Sequence, residues 1–261
     1  MARHYRPVVW TILWFIVCSM AALLPVRHAH ALTIYVDEAN PPFMYRSDDQ
    51  AEGIYPDIVR AVFARAGISV KIIAVPWRRA LMHLENGDGG IAGIYKNLER
   101  QKRYAFSDPI HREGLMIYRP KTDFAGESDL DDLEGMSVGV IRGWSYGDAF
   151  DSARRAGLFS ASEATGDDQN FSMLISKRID AVIAVREAGD IWIKKLRLED
   201  QIVRAESALF ENQTFIALNR RSKDLSKIAL INRAIAEMVE DGTFDSIVTN
   251  ALRQAIGSAF H

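Results

Sequence analysis

The sequence predicts an α/β fold, on two observations. Short β-branched runs alternate with helix-period patterns through most of the chain, the pattern of a largely parallel sheet covered by helices. The composition agrees: of 261 residues, 48% are hydrophobic and 25% charged, which excludes collagen-like, disulfide-stapled and wholly disordered chains.

The first 31 residues stand apart from the rest. They hold Arg3, Arg6 and Arg27, no acid, an apolar run from Val8 to Leu24, and then Ala29-His30-Ala31, the small-x-small pattern that a signal peptidase accepts. A secretory signal cleaved after Ala31 is expected, and with it an exported protein. The alternative is an uncleaved anchor, since the run is only slightly short of a bilayer span. Cys18 follows Phe15-Ile16-Val17 rather than the small residues of a lipoprotein site. With three arginines and Cys18 removed, residues 32–261 carry 29 basic against 34 acidic side chains, a net charge of −5, and no cysteine. Disulfides, thiolate metal sites and cysteine nucleophiles are thereby excluded. No basic stripe exists for a phosphate backbone, so nucleic acid is not an expected partner.

Along the mature chain, Leu32 to Val36 predicts the first strand. Pro56 suits the first turn of a helix whose stripe is Ile54, Ile58, Val62 and Ala66, with Gly67 at its end. Val70 to Val75 reads as a strand, Arg79 to Glu85 as a short helix stopped by Asn86-Gly87, and Ile91 to Ile94 as a buried parallel strand. A second α/β unit follows: strand Ser137 to Ile141, helix Asp148 to Ala156 ended by Gly157, helix Asn170 to Ser176, and strand Ile179 to Val185. Thr214 to Leu218 predicts another strand. Leu225, Ile228, Ile231, Ile235 and Met238 repeat at helical spacing, and a last helix is expected from Phe244 to Gln254. Lys121 to Glu134, polar and acidic, reads as a linker.

Six segments then fall in a telling order. They are Asp37-Glu38-Ala39-Asn40-Pro41-Pro42-Phe43, Gly53-Ile54-Tyr55-Pro56-Asp57-Ile58, the run from Leu98 to Pro109, Ser137-Val138-Gly139-Val140-Ile141-Arg142-Gly143, Arg178-Ile179-Asp180-Ala181-Val182, and Asp241-Gly242-Thr243-Phe244. Together they resemble the family 3 extracellular solute-binding proteins of ABC uptake systems, of the polar amino acid-binding type, over essentially all of residues 32 to 250. The resemblance implies a type II periplasmic binding fold: two α/β lobes, residues 32–112 plus 213–261 and residues 113–212, with a ligand cleft between them and chain crossings near Arg112-Glu113 and Asn212-Gln213. It also implies reversible capture of a small polar ligand, an amino acid, derivative or small carboxylate, by a monomer that serves an inner-membrane ABC permease. No enzymatic activity, cofactor or metal is expected.

The resemblance places Arg100 where amino-acid-binding members hold the ligand carboxylate, a task that suits a planar guanidinium because it can donate two parallel hydrogen bonds. Asp37 aligns with a cleft carboxylate, and Gly93, Ile94 and Tyr95 with a segment lining the site. Gly143-Trp144-Ser145-Tyr146 follows a strand and precedes a helix, so Trp144, the Ser145 hydroxyl and local N–H groups are candidates on the other wall. Two positions depart from the family pattern. The lobe 2 aspartate that holds an ammonium is Val185 here, followed by Arg186, and the stacking aromatic after the first strand is Asn40, for which Phe43, Tyr55 or Trp77 can substitute. The site therefore either recruits another carboxylate, such as Asp167 or Asp168, or takes a ligand without a free ammonium, for which Arg100 plus Arg186 would suit a dicarboxylate or an N-substituted amino acid.

Other classes fare worse. Gly143-Trp144-Ser145-Tyr146-Gly147 also fits a G-x-S-x-G nucleophile elbow on Ser145, but the only later histidine is His261. His83 and His111 lack metal-ligand spacing. A periplasmic sensing module is the remaining alternative, disfavoured by a chain that stops at His261 without a further domain.

Overall fold

The computed structural model describes residues 31–122 and 129–258. The predicted signal segment, the middle of the 121–134 linker and His261 lie outside the described residues.

The elements, in chain order, are β1 (Leu32–Asp37), β2 (Ala39–Asn40), β3 (Met44–Ser47), β4 (Gln50–Glu52), α1 (Ile54–Arg65), β5 (Val70–Val75), α2 (Trp77–Asn86), β6 (Gly90–Tyr95), α3 (Leu98–Arg103), β7 (Tyr104–Phe106) and β8 (His111–Pro120). After a 3-10 turn at Leu130–Leu133 come β9 (Ser137–Ile141), α4 (Asp148–Ala156), β10 (Ser160–Ala164), α5 (Asp167–Ile175), β11 (Ala181–Val185), α6 (Arg186–Lys195), β12 (Ile202–Arg204), β13 (Phe210–Asn219), α7 (Lys227–Glu240) and α8 (Thr243–Ser258).

Eight strands run in the order β10-β9-β11-β8-β13-β6-β1-β5, with β12 added to β8 and β7 to β13. At each end the sheet is parallel, β5-β1-β6 on one side and β10-β9-β11 on the other. Its centre is antiparallel, which corrects the expectation of a largely parallel sheet. The reason is topological. β8 carries the chain out of the first parallel group and β13 brings it back, so the two ten-residue strands run in opposite directions and pair with each other. Glu113 lies opposite Asn212 and Arg112 opposite Gln213, the two places where the crossings were expected.

Local chemistry sets the elements that frame the site. α1 buries Ile54, Tyr55, Ile58, Val59, Val62 and Phe63 on one face, each worth about 1.5–3 kcal/mol of gross apolar burial. Gly53, ahead of it, has φ +111, and a Cβ there would stand 2.7 Å from the Pro42 carbonyl oxygen. Only glycine permits that approach. α2 and α4 end on Gly87 and Gly157 in the left-handed region, as Asn86-Gly87 and Gly157 suggested. No helix among the described residues is long and apolar enough to cross a membrane.

Candidate functional site

Strand ends and the first turns of helices from both ends of the sheet meet around a small cavity. Six predicted residues line it: Trp77, Gly93, Tyr95 and Arg100 from the β1–β6 side, Trp144 and Ser145 from the β9–α4 loop. Asn40, Met44 and Glu113 complete the lining. The walls stand close, leaving about 10 Å³ open to the centre of a water molecule.

Arg100 sits in the first turn of α3, which Asn97 caps by accepting the Arg100 N–H at 2.7 Å. That capping turn aims the guanidinium inward, where it is 7% exposed and donates from Nη1 to the Tyr95 carbonyl oxygen at 2.9 Å. Among the described residues no carboxylate lies within ion-pairing distance of it. Burial lowers its pKa to about 10, with the Asp151 charge opposing, so it stays cationic at neutral pH.

Below Arg100 stands a residue that sequence reasoning passed over. Glu113, 2% exposed on β8, accepts hydrogen bonds from the hydroxyls of both Tyr55 and Tyr95. Burial raises its carboxyl to about 7 although both tyrosines favour the ionised form. In the sequence it marked only a crossing, because a lone glutamate beside Arg112 gives no signal of the two hydroxyls that fold onto it. Tyr55 is thus held behind the lining, under the cavity floor that Glu113 forms, and stacks on Phe43, whose ring centroid is 5.6 Å away. Gly93, with φ +77, makes room for this floor: a Cβ there would stand 2.6 Å from Tyr55 Cδ2. Gly93→Ala is expected to lower stability by roughly 2–4 kcal/mol through backbone strain and displacement of Tyr55. A thermal melt of the variant checks this.

Contacts between the two sides hold the walls together. Asn97 Nδ2 donates to Ser145 Oγ at 2.9 Å, the Leu98 N–H to the Asp148 carboxylate at 3.2 Å, and Trp77 Nε1 to the Gly143 carbonyl oxygen at 3.2 Å. Ser145 Oγ in turn donates to Asp151 Oδ2 at 2.5 Å, so its hydroxyl serves a carboxylate within its own loop and helix rather than an imidazole. Trp144 turns its ring edge-on to Trp77 and Tyr95, with centroids 6.1 and 6.4 Å away.

The other two predicted residues stand outside the lining. Asp37, 3% exposed, is reached by Trp144 Nε1 at 3.4 Å. Arg186 is half-exposed at the start of α6, 3.7 Å from Glu211, and does not join Arg100. Val185, at the usual ammonium position, is buried apolar core.

A mixed sheet crossed by two antiparallel strands, with a site where both parallel ends converge, is the build of a type II periplasmic binding protein. The family model of the bacterial extracellular solute-binding proteins, family 3, matches residues 32–253, and the chain belongs to that family. It is 27% identical over 227 residues to the L-cystine-binding protein TcyJ of Escherichia coli (strain K12), covering 85% of this chain and 82% of that one. It is 25% identical over 205 residues to the virulence sensor protein BvgS of Bordetella bronchiseptica, covering 77% of this chain but 16% of the sensor. Among solved structures, an ancestral arginine-binding protein bound to arginine superposes with a TM-score of 0.73 at 24% identity, over 85% of this chain and 99% of that one. A histidine kinase sensor domain similar to periplasmic binding proteins gives 0.75 at 18% identity, over 85% and 96%. The family is one of solute-binding proteins.

Proposed function

We propose that the protein captures a small carboxylate-bearing ligand, an amino acid or a derivative, in the periplasm and delivers it to an ABC permease in the inner membrane, acting as a monomer with its signal removed and without making or breaking a bond. The observation that carries this reading is Arg100: a buried guanidinium on the cavity wall with one donor spent on a backbone carbonyl and no carboxylate partner among the described residues. A buried cation without a counter-charge is costly, and an incoming carboxylate would relieve it through two charge-assisted hydrogen bonds.

In this reading residues 32–112 plus 213–261 and residues 113–212 are the two lobes, and the paired β8 and β13 are the hinge about which they open. The contacts of Asn97, Leu98 and Trp77 across the cleft then belong to the closed form. The relatives' printed ligands, L-cystine and arginine, are the first to try. A thermal-shift screen of residues 32–261 should find a ligand that raises Tm, and Arg100→Ala should weaken it about a hundredfold or more, Arg100→Lys somewhat less. Undiminished binding by Arg100→Ala, measured calorimetrically, would sink the reading.

The matches to sensor proteins favour a second reading, ligand sensing without transport. Uptake of radiolabelled ligand by cells with and without the protein separates the two.

A further inference from the structure

Among the described residues, Glu113 is the one carboxylic acid on the lining that holds Arg100, yet the two do not pair. Arg100 donates to the Tyr95 carbonyl oxygen, while Glu113 accepts the hydroxyls of Tyr55 and Tyr95. The walls leave only about 10 Å³ open to the centre of a water molecule. A ligand carboxylate gripped by Arg100 would therefore share a narrow, low-dielectric space with the Glu113 carboxylate, and like charges so placed repel strongly.

The hydrogen bonding around Glu113 offers a way out. Tyr55 donates to Oε1 and Tyr95 to Oε2, one tyrosine to each oxygen. A proton on either oxygen leaves a lone pair for its tyrosine and creates an O–H that neither tyrosine has to accept. Because Glu113 lines the cavity and Tyr55 stands behind it, that O–H has the cavity to point into. Asn40, 6% exposed on the same lining, already has an unpartnered donor in its Nδ2. Arg100, Asn40 and a protonated Glu113 together present donors, which suits the oxygens of a carboxylate.

The neighbours of Glu113 give its negative charge little support. From α1 and β6 it meets Tyr55 and Tyr95, whose phenols burial keeps neutral. From α6 it meets the negative charge of Glu187, whose Oε2 is buried without a hydrogen-bond partner. On its own strand His111 packs against Tyr55, with its pKa lowered by burial, and Arg112 is exposed. Arg186 and Glu211 approach Gly114 but face each other at 3.7 Å. Beyond Trp144 lie Asp37 and, close enough to feel its charge, Asp167. Arg100 is the cation that shares the cavity, and a bound carboxylate would take up that charge.

We infer that capture is coupled to a proton: as the ligand carboxylate settles on Arg100, Glu113 takes one proton from the medium and turns from a competing anion into a hydrogen-bond donor for the ligand. The protein then binds tightly while Glu113 is neutral and releases when it is ionised. The ligand stays ionised throughout, no bond within it changes, and one proton moves from solvent to Glu113. The inference rests on Arg100 as the carboxylate grip and adds what controls the affinity of that same site.

Proton uptake is read by calorimetric titration of residues 32–261 at pH 8 in two buffers of different ionisation enthalpy, HEPES and Tris, with L-arginine, L-cystine and succinate as probes. Free Glu113 ionises at about 7, so it is mostly protonated at pH 6 and mostly ionised at pH 8. A probe that binds should draw close to one proton from the medium at pH 8, and its Kd should rise about tenfold from pH 6 to pH 8. Glu113→Gln carries a permanent amide donor in place of the O–H. It should bind the same probe at both pH values within about twofold of the unmodified chain at pH 6, and take up almost no proton. Tyr55→Phe, which removes a donor favouring ionised Glu113 without altering the lining, should move the loss of affinity to higher pH. It serves as the second variant should Glu113→Gln fold poorly, and circular dichroism reports folding for each. A merely structural Glu113 would shift Tm in these variants but leave the proton count alone. Binding without proton uptake, or with an uptake that the folded variants leave unchanged, overturns the inference and leaves Arg100 in place. It falls together with the Arg100 reading if the unmodified chain binds none of the probes at pH 6.

Discussion

Glu113→Ala is expected to unfold the protein more readily by roughly 3–5 kcal/mol, a loss of about 8–15 °C in Tm for a chain of this size. Two deficits add. The truncation empties space in a packed floor, and it strips the acceptor from two tyrosine hydroxyls that are themselves buried, Tyr55 at 0% and Tyr95 at 5% exposure. Glu113→Gln keeps one of the two acceptor oxygens and removes a charge whose burial is unfavourable, so it should cost less than Glu113→Ala, about 1–2 kcal/mol. Differential scanning calorimetry of the pair decides the matter. Equal losses in both variants would show that charge, not the paired hydroxyls, makes Glu113 important.

The protein should also melt at a higher temperature near pH 5 than near pH 8. Burial raises Asp37 to about 6, Glu113 to about 7 and Asp167 to about 7. In the unfolded chain these groups ionise near pH 4. Between pH 4 and 7 the folded state therefore holds protons that the unfolded state has released. Stability from these groups is full below pH 4 and is lost as pH rises through the folded values. His111 opposes the trend, because burial lowers its pKa and stability from it is lost on acidification, but it is one group against three. Even a third of the three nominal shifts amounts to on the order of 3 kcal/mol, or roughly 6–12 °C. A Tm that is flat or rising from pH 5 to 8 would contradict the assignment. Asp167→Asn should flatten the dependence and, by neutralising a carboxylate buried at the start of α5, raise Tm at pH 8.

Much of this architecture was legible in the sequence. The stripe of α1, the glycine ends of α2 and α4, and the apolar strands β1, β5, β6 and β9 are local patterns, and each lies within a residue or two of its predicted place. What stayed hidden depends on distant partners. β8 begins His111-Arg112-Glu113, polar residues that become strand only because β13 pairs with them from a hundred residues away. The three-stranded β2-β3-β4 sheet is built from two to four residues per strand, below what periodicity can register. α6 is ten residues long, opens on Arg186-Glu187 without a side-chain cap and buries only Ala188, Gly189 and Ile193, so its start carries no capping signal.

The candidate site divides in the same way. Arg100, Tyr95 and Trp144 could be named because a motif fixes their neighbours in the chain. Glu113 and the approach of Asp167 to Asp37 arise from the fold alone, and no short window of sequence contains them. Arg186, adjacent to Val185, looked well placed for a second anion, but the first turn of α6 points it at Glu211 instead.

The return of β13 to β6 has a kinetic side. Phe215 pairs with Ile94 and Leu218 with Gly90, so the β5-β1-β6 group cannot gain its inner neighbour until the whole intervening segment has been made. Loop closure over that length must precede the reward of strand pairing, which slows folding relative to a chain of local contacts. A nascent chain of this topology remains open long enough for a holding chaperone to engage it, and truncation before residue 210 would leave β6 as an unpaired, apolar edge prone to association.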